Sequence, residues 1–198
     1  MKQLILCIVL MLTVCNAGAV MITPVSVDAS STYFTYDVDD LINDSGINGS
    51  LHSTNYRHMW MNDEEGASGI LTFDLGGIFS VTSTDIWQYN FSGERDRGVQ
   101  AFEILGSTDG LTFSLITNAS LLKSLGGSIS AQSVTFNATA QYIRFNITSN
   151  HGDPTYAGLS EVKFKGDISS VPAPATTCLL GLGLVGLVRA TKHQRGAE

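Results

Sequence analysis

The central part of the chain alternates apolar and polar residues over short stretches separated by turn-forming residues. In GILTFDLGG (residues 69–77) and again in QYIRFNITS (residues 141–149), apolar side chains occupy every second position. A period of two predicts half-buried β-strands, and no stretch of ten or more residues here has the 3.6-residue period of a helix. Thr108-Asp109-Gly110, between two such stretches, is a hairpin-turn signal. We therefore predict an all-β sandwich of six to eight strands.

The N-terminus has the pattern of a signal peptide. Lys2 is followed by the apolar run LILCIVLMLTV and then by Ala17-Gly18-Ala19, a small-x-small cleavage site. We expect residues 1–19 to be removed after Ala19 during export.

The C-terminus, residues 169–198, combines a proline-containing linker, an uncharged apolar run and a basic tail. The run from Ala175 to Val188 contains three glycines. As a helix it spans about 21 Å at roughly 1.5 Å per residue, which is shorter than a bilayer core of about 30 Å. Arg189, Lys192 and Arg195 follow it. We expect a weak inner-membrane anchor, with the basic tail on the cytoplasmic side.

Between these ends, residues 20–168 form one domain with an acidic surface. The chain has 18 Asp and Glu residues, and all except Glu198 lie in this region. It also contains none of the three cysteines, so we expect an exported domain without disulfides, which is more typical of bacteria. An acidic surface repels phosphate, so nucleic acid is excluded as a partner, whereas neutral glycans and divalent cations are favoured.

The loop DVDDLINDSGINGS (residues 37–50) is rich in oxygen-bearing side chains. Calcium is bound by six to eight oxygen ligands, so this loop is a candidate site, although its spacing is not that of an EF-hand. Asn, Asp and Ser residues also form Asx turns in solvated loops. The residues alone leave both interpretations open.

No arrangement of residues typical of an enzyme is present. His52 and His58 are not in a zinc-protease spacing, and no serine lies in a G-x-S-x-G turn. We therefore expect the protein not to be an enzyme.

Several aromatic and polar residues near the predicted strand ends are candidates for ligand contacts. Aromatic rings can either fill the core or stack on sugar rings, and the sequence favours the core for Trp60 only. The charged run after residue 93 is either a solvated turn or a source of donors for hydroxyl groups. The candidate ligand-binding residues are Trp87, Tyr89, Arg95, Arg97, His151 and Tyr156.

Taken together, six segments resemble the discoidin, or coagulation factor V/VIII type C, domain family. In order they are DLINDSGI, HSTNYRHMW, LTFDLGG, FEILGSTDGLTFSLI, QYIRFNITSNHGD and YAGLSEVKFKG, which cover about residues 35–166. The resemblance implies a galactose-binding-like jelly roll that binds carbohydrate. It also implies a structural calcium site, with side-chain ligands at Asn43 or Asp44 and at Glu161, and with carbonyls near Asp40, Ser45 and Ser160.

The C-terminal segment resembles the PEP-CTERM sorting signal of Gram-negative bacteria. The motif reads Val171-Pro172-Ala173-Pro174, with alanine where the family prefers glutamate. The resemblance implies recognition by an exosortase-like processing enzyme, after a transient inner-membrane stage. The protein is then expected at the cell surface or in the extracellular matrix.

These expectations combine into an exported, envelope-anchored or released binding protein. Its expected ligand is a carbohydrate, such as the exopolysaccharide of the producing cell. The alternative is a structural matrix or adhesion protein whose jelly roll binds another protein and no sugar.

Overall fold

The computed structural model describes residues 19–63 and 66–168. The predicted signal peptide, apart from Ala19, and the predicted sorting segment at 169–198 lie outside these residues. Within the described ranges, no helix has the length and apolar character needed to cross a bilayer.

The described residues form eleven strands and three short 3-10 turns. The strands are β1 (Val20–Ile22), β2 (Ser26–Ala29), β3 (Ile47–Asn48), β4 (Leu51–His52), β5 (Trp60–Met61), β6 (Gly69–Gln88), β7 (Val99–Ser107), β8 (Ser114–Ser120), β9 (Ile129–Ser130), β10 (Gln132–Asn150) and β11 (Gly158–Ile168). The 3-10 turns are Val38–Leu41, Tyr56–His58 and Arg95–Arg97.

The long strands β6 and β10 organise the fold. The main sheet has the order β1-β11-β6-β10-β7-β8, with β2 also paired to β6 and β5 to β11, while β3-β4-β9 form a small second sheet. The β6–β10 pairing has two register shifts, one between Val81 and Ser83 and one between Asp74 and Phe79, where Gly76 has a φ of +77°. These irregularities let both strands bend, because a register shift interrupts the regular ladder locally. The all-β jelly-roll prediction is confirmed.

The core lies on the faces that the alternating pattern predicts. Leu71, Phe73 and Leu75 on β6 are buried, and so are the alternating apolar residues of β10, Ile143, Phe145 and Ile147. Phe73 and Phe145 meet edge to face at 5.1 Å between ring centroids. The intervening side chains face outward because successive residues of a strand point to opposite sides of the sheet.

The end of β6 departs from this alternation. Ser83–Gln88 are buried on both faces. The chain before β4 covers this end, where the Trp87 indole N–H donates to the Ser50 carbonyl at 3.1 Å. Trp60 is also fully buried, as predicted, and both Trp87 and Tyr89 belong to the interior.

Candidate functional site

Four loops enclose an aromatic pocket of about 320 Å³ at one end of the sandwich. They are the segment after β2, the 3-10 turn before β5, the connection from β6 to β7, and the connection from β10 to β11. A backbone bridge between Gly98 and Gly158 ties the last two loops together. The lining residues are Tyr33, Thr35, Tyr36, Tyr56, Met61, Phe91, Glu94, Arg97 and Tyr156.

The rings of the aromatic pocket hold one another in place. Tyr33 meets Tyr156 at 5.3 Å between centroids, and Tyr56 lies between Tyr36 at 5.7 Å and Phe91 at 5.4 Å. These separations are typical of edge-to-face and tilted aromatic pairs. The pocket is therefore a preformed, half-buried set of ring faces and phenol groups.

Tyr89 forms the floor of this cluster. Its ring is fully buried, and its hydroxyl hydrogen-bonds to the hydroxyl of Tyr36 at 2.8 Å. Burial raises the pKa of Tyr89 well above its usual value, and the hydrogen bond to Tyr36 adds to this shift. The phenols therefore stay neutral at physiological pH and both donate and accept hydrogen bonds.

Arg97 is held tightly against the aromatic pocket. Its guanidinium lies 4.8 Å from the ring centroid of Tyr156, forms an ion pair with Glu94, and donates through Nε to Asp153 at 3.3 Å. Two carboxylates therefore flank one cation, and Glu94 is the more exposed of the two, with 38% of its side chain accessible.

Asp153 links Arg97 to the position of Tyr156. Its Oδ1 accepts the backbone N–H groups of Thr155 and Tyr156, each at 2.8 Å. Burial by itself raises the pKa of Asp153, but these N–H groups and Arg97 outweigh burial and lower it below its usual value. The ionised carboxylate thus fixes the loop that carries Tyr156.

The structure brings two of the six candidate ligand-binding residues, Arg97 and Tyr156, into the lining of this pocket, and a third, Tyr89, lies buried beneath it. Trp87 is instead covered by the chain near Ser50, as described above. Arg95 donates to the Leu125 carbonyl in a separate loop. His151 is half-buried near Lys123, and burial followed by that positive charge lowers its pKa. These three residues lie outside the aromatic pocket.

Four ring residues of the aromatic pocket were missed by the sequence analysis: Tyr33, Tyr36, Tyr56 and Phe91. A signal for two of them exists in STYFTYD (residues 31–37), where three aromatic residues fall outside any alternating stretch. The Tyr36 N–H donates to the Tyr33 carbonyl at 2.8 Å, so these residues form a tight turn at the pocket.

A second feature lies where the early loop meets β11. Glu161 is fully buried, and neither carboxylate oxygen has a hydrogen-bond partner. Burial raises the pKa of Glu161 to about 8, the charges of Asp44 and Asp40 add to this shift, and the positive charge of Lys163 opposes it only in part. A buried carboxylate without partners is costly unless a cation or a proton compensates it.

The early loop, whose Asp40 and Asp44 charges act on Glu161, is rich in oxygen-bearing side chains. Asp40 Oδ1 accepts from the Ser45 hydroxyl at 2.7 Å and from the Asn43 amide at 3.2 Å. Asn43 caps a turn by accepting the Ser45 N–H at 2.8 Å, and Asp44 forms an ion pair with Lys163. Asn43 therefore forms an Asx turn, which is one of the two interpretations of this loop. Asp40 is an acidic group whose negative charge acts on Glu161.

The fit to a cation rests on Glu161. The Ser160 hydroxyl donates to the Gln88 carbonyl at 2.8 Å, so this side chain is already used. Among residues 19–63 and 66–168, no group of three or more His, Cys, Asp or Glu side chains converges as a metal site. A hard cation here would need backbone carbonyls of the loop besides the two carboxylates, which is an oxygen set that calcium accepts.

Two family models match the chain. The F5/8 type C domain model matches residues 26–162, and the PEP-CTERM protein-sorting motif matches residues 170–192. The sorting motif implies export and membrane-associated processing. A comparison with curated proteins finds no match to the chain.

Solved structures with the same fold include several carbohydrate-binding modules of family 32 (CBM32). The family 32 module of Clostridium perfringens NanJ, in complex with galactose, is 17% identical, with 73% of this chain and 93% of that chain covered and a TM-score of 0.54. A Streptococcus pneumoniae fucose binding module is 16% identical, with 77% and 99% covered and a TM-score of 0.55. The CBM32 of AlyQ, in complex with 4,5-unsaturated mannuronic acid, is 24% identical, with 73% and 97% covered and a TM-score of 0.52.

Proposed function

The chain belongs to the F5/8 type C domain family, and from this premise we propose that it is an exported protein that binds carbohydrate in its aromatic pocket. The structural neighbours include a module in complex with galactose and a fucose binding module. The observation that carries the proposal is the concave cluster of tyrosine rings and phenol groups beside a fixed arginine. Sugars present apolar ring faces and hydroxyl groups, and a pocket of this kind complements both.

Within the aromatic pocket, each group has a distinct role. The half-buried rings of Tyr33, Tyr56 and Tyr156 supply surfaces for the apolar face of a sugar. The phenol groups and Glu94 exchange hydrogen bonds with its hydroxyls. Arg97 acts as a positioning residue, because its contacts with Asp153 and Tyr156 fix the geometry of the pocket.

The charge of the pocket favours a neutral sugar over an acidic one. Arg97 is already paired with the carboxylates of Glu94 and Asp153. A sugar carboxylate would therefore lie beside the negative charge of Glu94 and would find no unpaired cation among the lining residues. Arg57 is exposed, donates to the Tyr56 hydroxyl at 3.4 Å and is not part of the lining. The structural neighbours include modules in complex with a neutral sugar and with an acidic sugar. The preference for a neutral sugar is therefore argued from the charges of this pocket alone.

A screen of immobilised glycans tests the function and this preference together. We expect binding to neutral glycans and at least tenfold weaker binding to the matched uronic acid, for example galacturonate against galactose. Glu94→Gln removes the more exposed carboxylate, so binding to the uronic acid should improve several-fold while binding to the neutral sugar changes little. Isothermal titration of both proteins with the sugar pair measures this.

The same screen separates the proposal from its alternative. Binding to no glycan, including the exopolysaccharide of the producing cell, would contradict the carbohydrate function and favour the protein-binding matrix or adhesion role. A preference for galacturonate would leave the function standing but contradict the charge argument.

We also propose that calcium occupies the region between the early loop and Glu161. The ion would be held by the carboxylates of Glu161 and Asp40 and by carbonyls of residues 40–45 and 160. It would supply a direct partner for the buried carboxylate of Glu161, and so join the early loop to β11. Its role in the proposal is structural, since this region is separate from the lining of the aromatic pocket.

For the C-terminal segment we propose a temporary membrane anchor that an exosortase-like enzyme cleaves. Deleting residues 169–198 should release a folded protein into the soluble exported fraction, because β11 ends at Ile168. Replacing Arg189, Lys192 and Arg195 with glutamine should instead reduce processing, because fewer charges hold the tail on the inner side. Cell fractionation with mass spectrometry of the C-terminus measures both outcomes. A deletion variant that misfolds would show that the segment belongs to the domain.

A further inference from the structure

The outer face of the main sheet carries a polar groove that the aromatic pocket does not include. Two rows of paired residues cross β2, β6 and β10, namely Ser26–Asp74–Tyr142 and Asp28–Thr72–Arg144. Together they line a groove of about 330 Å³, which we call the outer-face groove. The stretch of β10 from Arg144 to Asn150 rises about 20 Å at roughly 3.3 Å per residue, so the groove is well separated from the pocket loops.

Arg144 is fixed in the outer-face groove without a carboxylate partner. Its guanidinium lies 3.7 Å from the ring centroid of Phe113, and its Nε donates to Thr72 Oγ1 at 3.1 Å. Arg144 forms no ion pair with any residue in the described part of the chain. Stacking and one hydrogen bond hold the planar group in place, and its two terminal amino groups remain available as donors.

Acceptors and hydroxyls lie in the same groove. Asp74 Oδ1 accepts the Gly76 N–H at 2.8 Å and the Gln141 amide at 3.2 Å, which positions the carboxylate. Asp28 is exposed and, across residues 19–63 and 66–168, is in no ion pair.

Tyr142 forms one wall of the outer-face groove and is held by its neighbours. Its ring packs so closely on the turn at Gly110 that a Cβ there would lie 3.2 Å from the ring, and its hydroxyl accepts from the Gln141 amide at 3.2 Å. The groove thus has a rigid aromatic edge beside fixed donors and acceptors.

We propose that the outer-face groove is a second binding site for a neutral, hydroxyl-rich ligand, that is, a saccharide. Each sugar hydroxyl donates and accepts, which matches a guanidinium placed across from two carboxylates. An anion would be repelled by Asp28 and Asp74, and a cation by Arg144. An apolar partner would bury these charges without compensation. The site does not depend on the aromatic pocket being a binding site, and with both sites occupied one domain bridges two saccharide chains.

Saturation-transfer NMR on the full-length protein in lipid nanodiscs tests the second site. The background is the double variant Arg97→Ala/Tyr156→Ala, in which binding in the aromatic pocket is weakened at two positions. The probes are lactose, maltose and cellobiose at millimolar concentration. We expect transfer to at least one of them, and a decrease of at least threefold when Arg144→Gln is added. Glu103→Gln is the matched control, because Glu103 lies on the same face but accepts from Asn146 at 2.7 Å.

Asp28→Asn provides a variant in which misfolding is not expected, since the side chain is exposed. It should also weaken transfer at an unchanged melting temperature. Absence of transfer to all three sugars would overturn the proposal, and so would transfer that Arg144→Gln and Asp28→Asn leave unchanged.

Discussion

Glu161→Gln is expected to stabilise the calcium-free protein near neutral pH and to abolish its stabilisation by calcium. Burial raises the pKa of Glu161 from 4.5 to about 8. Because the unfolded chain loses this proton first, the calcium-free protein should lose stability as the pH rises from about 4.5 to about 8. The loss is about 3 kcal/mol at pH 7, at roughly 1.4 kcal/mol per unit of pKa. The glutamine variant lacks this pH dependence, and its melting temperature at pH 7 should be higher by roughly 6–12 °C.

Calcium should reverse the loss in the wild-type protein only. A ligand at 100 times its Kd stabilises the native state by about 2.7 kcal/mol, which corresponds to a rise of roughly 5–10 °C in a domain of this size. Thermal unfolding between pH 4 and pH 8, with calcium or with chelator, measures both effects. Glu103→Gln serves as the control, because it removes a hydrogen-bonded carboxylate on the outer face. Identical melting curves with calcium and chelator at pH 8 would contradict the calcium site.

Arg97→Ala and Tyr156→Ala are each expected to weaken glycan binding at least tenfold, or about 1.4 kcal/mol. Tyr156→Ala removes a ring surface of the aromatic pocket. Arg97→Ala leaves Glu94 and Asp153 without their shared cation and releases the support of the Tyr156 ring. The effects are large because both residues lie in the centre of a well-packed cluster.

The chain offers a close control for the arginine. Arg95 belongs to the same 3-10 turn as Arg97, but its guanidinium donates to the Leu125 carbonyl outside the aromatic pocket. Arg95→Ala should leave the Kd for glycan unchanged within twofold. Equal losses in both arginine variants would show that the turn, and not the pocket contact of Arg97, controls binding.

The sequence was sufficient to predict the sandwich, because the alternation of apolar and polar residues along a half-buried strand indicates which side chains face the core. Leu71, Phe73 and Leu75 alternate with outward-facing residues along β6, and the structure buries all three. The pattern fails at Trp87 because the last part of β6 is covered on both faces. Alternation carries no information where both faces are buried, so the sequence left the location of Trp87 open.

The aromatic pocket could be predicted only in part, because its residues come from four loops that are distant in sequence. The contact between Tyr33 and Tyr156 depends on which strand ends the fold brings together. The periodicity of a short sequence segment gives no information about such long-range contacts. Arg95 and Arg97 are equivalent in the sequence, and only the 3-10 turn directs one of them into the pocket. Glu161 was predicted as a calcium ligand from the family resemblance. That its carboxylate oxygens have no hydrogen-bond partner could be seen only in the structure.

The most direct test of the carbohydrate-binding proposal is a crystal structure of residues 20–168 with a neutral glycan identified in the screen. We predict that the sugar lies in the aromatic pocket, with its apolar face within about 4 Å of the Tyr33, Tyr56 or Tyr156 ring and its hydroxyls hydrogen-bonded to Glu94 or the phenol groups. A complex in which the glycan is bound elsewhere on the domain, with the aromatic pocket empty at saturating sugar, would contradict it.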